Sequence, residues 1–176
     1  MALKRIPIYG QIKGVTIYDA PDGVPSDTPA AVDCTITLPN ISFETGTIQM
    51  MGSQTVPDHS RLGDLSMAIT VPDSKDSMVL SGKGLKSHVA RWVREVTDPN
   101  GAIRVVGFVC YYSGYVTQIP QSGKNPGAES TGDYNVSLVK YRVLEDGKYE
   151  HFNIDRAAGK LIINGEDYRS EVDELL

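Results

Sequence analysis

Only three of the 176 residues are histidine, two are cysteine and one is tryptophan, and that scarcity closes off several kinds of chemistry. His59, His88 and His151 are far apart and make no HxH, HxxxH or Cys–His spacing, so no metal site is expected. Cys34 and Cys110 each sit in an apolar, strand-like setting. They read as reduced core thiols, neither a disulfide nor a nucleophile. The chain has no GxGxxG and no GxSxG, and Gly82-Lys83-Gly84 lacks the spacing of a phosphate loop. Asp58-His59-Ser60 holds the residue types of a hydrolase relay, but neighbouring side chains diverge on an extended chain. Glu145-Asp146 and Glu166-Asp167 fall in turns, where solvation accounts for them. No catalytic, cofactor-binding or metal-ligating residue is therefore assigned, and no enzyme is expected.

Long apolar runs are missing too. No stretch reaches the ~18 residues of a membrane span, and residues 1–9 lack the apolar block of a secretion signal. The expectation is a soluble domain made in the cytoplasm, without a membrane partner. Aromatics make up 7 % of the chain, too few for a polar-aromatic sugar or peptide cleft to suggest itself. The formal net charge is −5, and the excess is local: residues 143–176 carry 9 acidic and 4 basic side chains, against 13 and 13 before them. Such a balance argues against a protein that grips nucleic acid by its phosphates.

Alternation with period two dominates what is present. Even positions are apolar in 32–38, odd positions in 65–71, and 103–112 is apolar nearly throughout, as in a strand covered on both faces. The pairs Asp22-Gly23, Asn100-Gly101, Asp146-Gly147 and Asn164-Gly165 mark turns. Asp146-Gly147 separates strand-like runs at 134–144 and 149–155, a hairpin. Within the first run the apolar positions change from even (Tyr134, Val136, Leu138) to odd (Val139, Tyr141, Val143). That flip predicts a β-bulge or a strand changing sheets, unless both faces are simply buried there. One segment has helical spacing: Leu85, Val89, Trp92, Val93 and Val96, before the stop at Asp98-Pro99-Asn100-Gly101. The reading is one mainly β (α+β) domain over 1–176, a β sandwich or split barrel with one packed amphipathic helix. Loop insertions are expected near 20–31, 39–60 and 120–133. The second is unusual in carrying Ile48, Met50, Met51 and Val56, apolar groups that need a cover.

The C-terminal half has a recognisable order: strand, Gly/Pro/Lys loop, long strand, Asp-Gly turn, and a strand ending on an acidic residue. It runs SGYVTQIPQSGKNPGAESTGDYNVSLVKYRVLEDGKYEHFNID, then LIINGEDYRSEVDELL. This resembles the major tail tube protein of contractile-tailed bacteriophages and phage-tail-like bacteriocins, best over 103–165. Leu38-Pro39 with the Gly/Met-rich stretch after it, and Asp64-Leu65-Ser66-Met67, are similar more weakly. The resemblance implies a virion subunit that assembles with itself. Six copies would make a ring whose strands join into one barrel, and stacked rings a conduit for genome ejection. A contractile sheath would surround it, with baseplate, tail terminator and tape-measure protein as further partners. DNA would pass through without specific binding. In that setting Ile48, Met50 and Met51 are expected at contacts between subunits or rings. Glu150 and Asp155 are expected to face the lumen. A type VI secretion tube, a non-contractile tail tube and a monomeric β-sandwich binding module are the alternatives.

Overall fold

The computed structural model describes residues 7–71, 83–120 and 133–176. Eleven strands follow in chain order: β1 (Ile8–Asp19), β2 (Ala31–Thr37), β3 (Phe43–Gln49), β4 (Ser53–Leu62), β5 (Ser66–Thr70), β6 (Leu85–Thr97), β7 (Ile103–Gln118), β8 (Tyr134–Glu145), β9 (Tyr149–Asp155), β10 (Lys160–Ile163) and β11 (Glu166–Asp167). A 3-10 turn, Pro21–Gly23, follows β1, and a short helix α1, Ser170–Leu175, comes last. β5, β2, β1, β6, β7 and β8 pair in that order, and β8 pairs back to β5, closing a six-stranded antiparallel barrel. β9, β10 and β11 extend the sheet outward from β8, while β3 and β4 form a separate hairpin. The described helix is too short to cross a membrane.

The fold is mainly β, as the alternation predicts. Leu65, Met67, Ile69 and Val71 all point inward and are buried, so the odd-position reading of that strand holds. On β2 the even-position reading holds for Cys34 and fails at Val32, which is exposed. Asp33 adopts a left-handed backbone (φ 57°), and the pairing with β1 shifts there, so Ala31 takes the inner place instead. The phase flip on β8 is a bulge. Ser113 of β7 faces Lys140 while its neighbour Gly114 faces Leu138, leaving Val139 over. Tyr134, Val136 and Leu138 are buried before the bulge, Tyr141 and Val143 after it. The bulge also marks a change of partner: residues 134–137 pair with β5, residues 140–145 with β9. The Asp146-Gly147 turn joins β8 to β9 with both residues at positive φ, the geometry whose twist suits a tight hairpin.

Three expectations are corrected. The stripe Leu85, Val89, Trp92, Val93 and Val96 is not a helix but lies on β6, paired with β7 over all 13 residues from Leu85–Tyr115 to Thr97–Ile103. Its residues are divided between two faces: His88, Ala90, Trp92 and Val96 face inward, while Leu85 and Val93 are exposed on the other face, where Val89 is covered. That division imitates helical spacing. Three valines, stiff at χ1, suit the pleated strand better, and the ladder decides it. The stretch 39–60 is not irregular, since most of it is the β3–β4 hairpin, turning at Met50-Met51-Gly52 with Met51 at φ 49° and Gly52 at φ 120°. β-Branched Thr45, Thr47, Ile48, Thr55 and Val56 favour extended chain there. Pro57, which lacks an N–H, sits on a strand with only one neighbour. Finally, the strand 103–112 is covered on one face only: Val106, Phe108, Cys110 and Tyr112 are buried, whereas Ile103 and Val105 are exposed. Of the expected loop at 120–133, residues 121–132 lie outside the described residues; the stretch 20–31 holds the 3-10 turn and ends in β2.

Inside the barrel Trp92 stacks on Phe108, centroids 5.7 Å apart and rings nearly parallel at 2°. Each fully buried Ile, Leu or Met contributes about 1.5–3 kcal/mol, so Ile17, Leu65, Met67, Ile69 and Leu161 together are a large share of the stability. Closure of the barrel depends on Gly114. A methyl group there would overlap the Ser137 carbonyl oxygen and a methyl of Val136, both on β8. Gly114→Ala should therefore cost ~1–3 kcal/mol, an overpacking penalty against rigid backbone. The midpoint of thermal unfolding should fall by roughly 2–4 °C per kcal/mol in a domain of this size. An unchanged melting temperature would show that the β7–β8 contact is looser than described.

Candidate assembly surfaces

The β3–β4 hairpin is an arm. Glu44 to Gln49 and Ser53 to His59 are all exposed, so the two strands touch little but each other. The arm is pinned at its base, where Phe43 stacks on Tyr168 (5.8 Å) and meets the His59 ring edge-on (4.9 Å). Gly63 N–H donates to the Ser42 carbonyl at the same place. Ile48 pairs with Gln54 and Gly46 with Val56, so Ile48 and Val56 share one face. Met50 and Met51 form the tip. All four are exposed. The residues expected at contacts thus come together on one projecting element. Their charged neighbours, Glu44, Asp58 and Arg61, stand at its base, with Glu44 and Arg61 paired at 3.5 Å.

A second surface is the outer side of β6 to β9. An open cleft of about 800 Å³ lies over it, lined among others by Asp19, Tyr111, Lys140, Arg142, Asn153 and Asp155. Register places Lys140 beside Asp155 (3.8 Å), and the Arg142 guanidinium donates to Glu150 at 2.7 Å. Burial acts to raise the Glu150 carboxyl, but hydrogen bonds from Arg142 and Asn153 outweigh it and hold it below its ordinary value. Glu150 and Asp155, expected to face the lumen, each stand beside a cation from the neighbouring strand. Sequence reasoning missed those cations; Lys140 and Arg142 are two apart on β8, and strand period places them on one face.

The chemistry-bearing residues are dispersed. Ser60 donates both its hydroxyl and its amide N–H to Asp58, while His59 turns away to Phe43 and Tyr168, so those three make no relay. His151 pairs with Glu145 at 2.8 Å, and the Tyr9 hydroxyl donates to the same carboxylate at 3.2 Å. Cys34 and Cys110 are reduced thiols buried in the barrel, and burial pushes Cys110 far above the usual thiol range. Among the described residues no three His, Cys, Asp or Glu side chains converge to hold a metal.

The chain matches the protein-family model described as phage tail tube protein FII over residues 29–176. It belongs to that family. The tail tube subunit is a structural protein of the virion tail, not an enzyme. No curated protein matches the chain.

One buried polar group in this tube subunit has a consequence for pH. His88 is only 6 % exposed, packed against Tyr112 (5.6 Å) with Asp19 at 3.9 Å. Desolvation lowers its pKa below 6.5, opposed by Asp19 and assisted by Lys86. The unfolded chain therefore takes up the proton first as pH falls. Stability from the neutral ring is full above about 6.5 and is lost below it, towards the folded-state midpoint. The His88 ring resonances in an NMR titration should show a midpoint below 6.5, with the urea midpoint of unfolding falling as the pH drops below about 6.5. His88→Leu should flatten that fall; an equally steep fall in the variant would assign it to other groups.

Proposed function

We propose that this subunit assembles into hexameric rings that stack as the conduit for genome ejection within a contractile sheath. The observation that carries the reading is the β3–β4 arm, set on a closed barrel in a chain of the tail tube family. A two-stranded hairpin is marginal alone in water, so an arm with Ile48, Met50 and Met51 exposed gains its stability from a partner. In the assembled tail Ile48, Met50 and Met51 pack on a neighbouring subunit or ring. The sheath surrounds the tube, the tape-measure protein occupies it during assembly, and the baseplate and tail terminator bound its ends. The subunit is synthesised in the host cytoplasm as one domain over 1–176.

The wall that carries Glu150 and Asp155 faces the bore in this reading. Since both stand beside cations, their field is that of ion pairs. The net negative charge of the chain keeps DNA from adhering, although salt screens it beyond ~8 Å. Every phosphate contact along the bore would be a brake on transit.

Concentrated protein viewed by negative-stain electron microscopy should show six-fold rings or tubes. Replacing Met50 and Met51 by Asp should abolish them while leaving the far-ultraviolet circular dichroism unchanged. A wild-type protein that stays monomeric at high concentration would overturn the assembly reading, and normal tubes from the variant would remove the arm from the contact. A fluorescence anisotropy titration with duplex DNA at low salt should show no binding; tight, salt-sensitive binding would contradict a passive conduit.

A further inference from the structure

We propose that the seat of the β3–β4 arm is the outer face of a three-stranded flap on a second copy, formed by the first half of β1, the end of β6 and the start of β7. This assignment rests on the tube reading and gives the arm a specific site. The flap consists of Ile8–Lys13, Val93–Thr97 and Ile103–Gly107. β1 pairs there with β6 alone, and β7 pairs with β8 only from Phe108 onward. Register puts Ile8, Thr97 and Ile103 in one row, Glu95 beside Val105, and Val93 between Lys13 and Gly107. These share the outward side, since Val96 and Val106 face the core. Ile8, Ile103 and Val105 are 68 %, 70 % and 66 % exposed, a contiguous apolar patch where a strand face would otherwise be polar.

Charge fits this occupant. The two charged side chains on the face, Lys13 and Glu95, already pair with each other at 3.1 Å. From Thr45 to Pro57 the arm carries no charge, and its apolar face ends in Met50 and Met51. Docking the one on the other buries apolar surface without stranding an ion, the condition under which an interface core forms. Methionine, flexible and polarizable, suits a contact that forms on assembly. The position of the two surfaces fits as well. The arm is pinned on Tyr168 beside β10, whereas the flap belongs to the β1–β6–β7 wall, so one copy's arm meets the next copy's flap. A contact between two different patches repeats head to tail, which builds closed rings or stacks rather than isolated pairs.

The test is an inter-chain cross-link. Protein with Met51→Cys and Val105→Cys, assembled at high concentration and treated with a short bismaleimide, should give a ladder of chain multiples. The ladder should vanish on dilution below assembly and with Met51→Cys paired to Tyr115→Cys at the other end of β7. The native thiols Cys34 and Cys110 are buried and do not compete. A second variant, Val105→Asp, changes an exposed side chain and should fold normally yet make no rings or tubes. Wild-type tubes without a Met51–Val105 link, or normal tubes from Val105→Asp, would overturn the seat while leaving the tube reading intact. A wild-type protein that never assembles would overturn both.

Discussion

β7 is the strand on which the other elements depend. It pairs with β6 from Ile103 to Tyr115 and, on its other edge, with β8 from Phe108 to Gln118, so it joins the two walls of the barrel. Those walls would part if the β7–β8 approach were widened. At Gly114 the approach leaves no room for a Cβ, and there β8 bulges at Val139 and exchanges β5 for β9 as its second neighbour. One missing methyl group thus permits closure of the barrel at the place where the sheet extends outward through β9, β10 and β11.

The exposed features follow from that arrangement. β8 turns back into β9 at Asp146-Gly147, so β7 runs on beyond its partner, and its first residues are left with β6 alone. The outer side of that extension is apolar, a pattern that makes little sense for a monomer and good sense for a subunit. On the opposite wall, the residues between β2 and β5 leave the barrel as the β3–β4 arm before the chain returns at Leu65. Barrel residues repay their ordering by burial. The arm and the flap lack that return within one chain; in the proposed tube, assembly supplies it.

Much of this was legible in the residues. Tyr134, Val136 and Leu138 followed by Tyr141 and Val143 point to a bulge or a change of sheet unless both faces are buried, and the register with β7 shows the bulge. Asp146-Gly147 announces its hairpin, since few other pairs accept positive φ twice. The order of elements from 103 to 165 pointed to the tail tube family, which the match over 29–176 establishes. The segment around Trp92 misled, because valines on both faces of a strand reproduce the spacing of a helix. Local pattern does not say how many faces will be covered, and the ladder to β7 does.

The assembly surfaces divide in the same way. Sequence by itself determined that Ile48, Met50 and Met51 gather apolar groups in one stretch, that the acidic excess falls after residue 142, and that no catalytic constellation is spelled out. These follow from residue type and order alone. Only the tertiary structure decided that the three apolar residues stand on one arm, that Glu150 and Asp155 lie beside Arg142 and Lys140, and that Ile103 and Val105 are uncovered. Each of these depends on which strands become neighbours and in what register. That choice is made by burial summed over the whole barrel, through pairings between residues far apart in the chain.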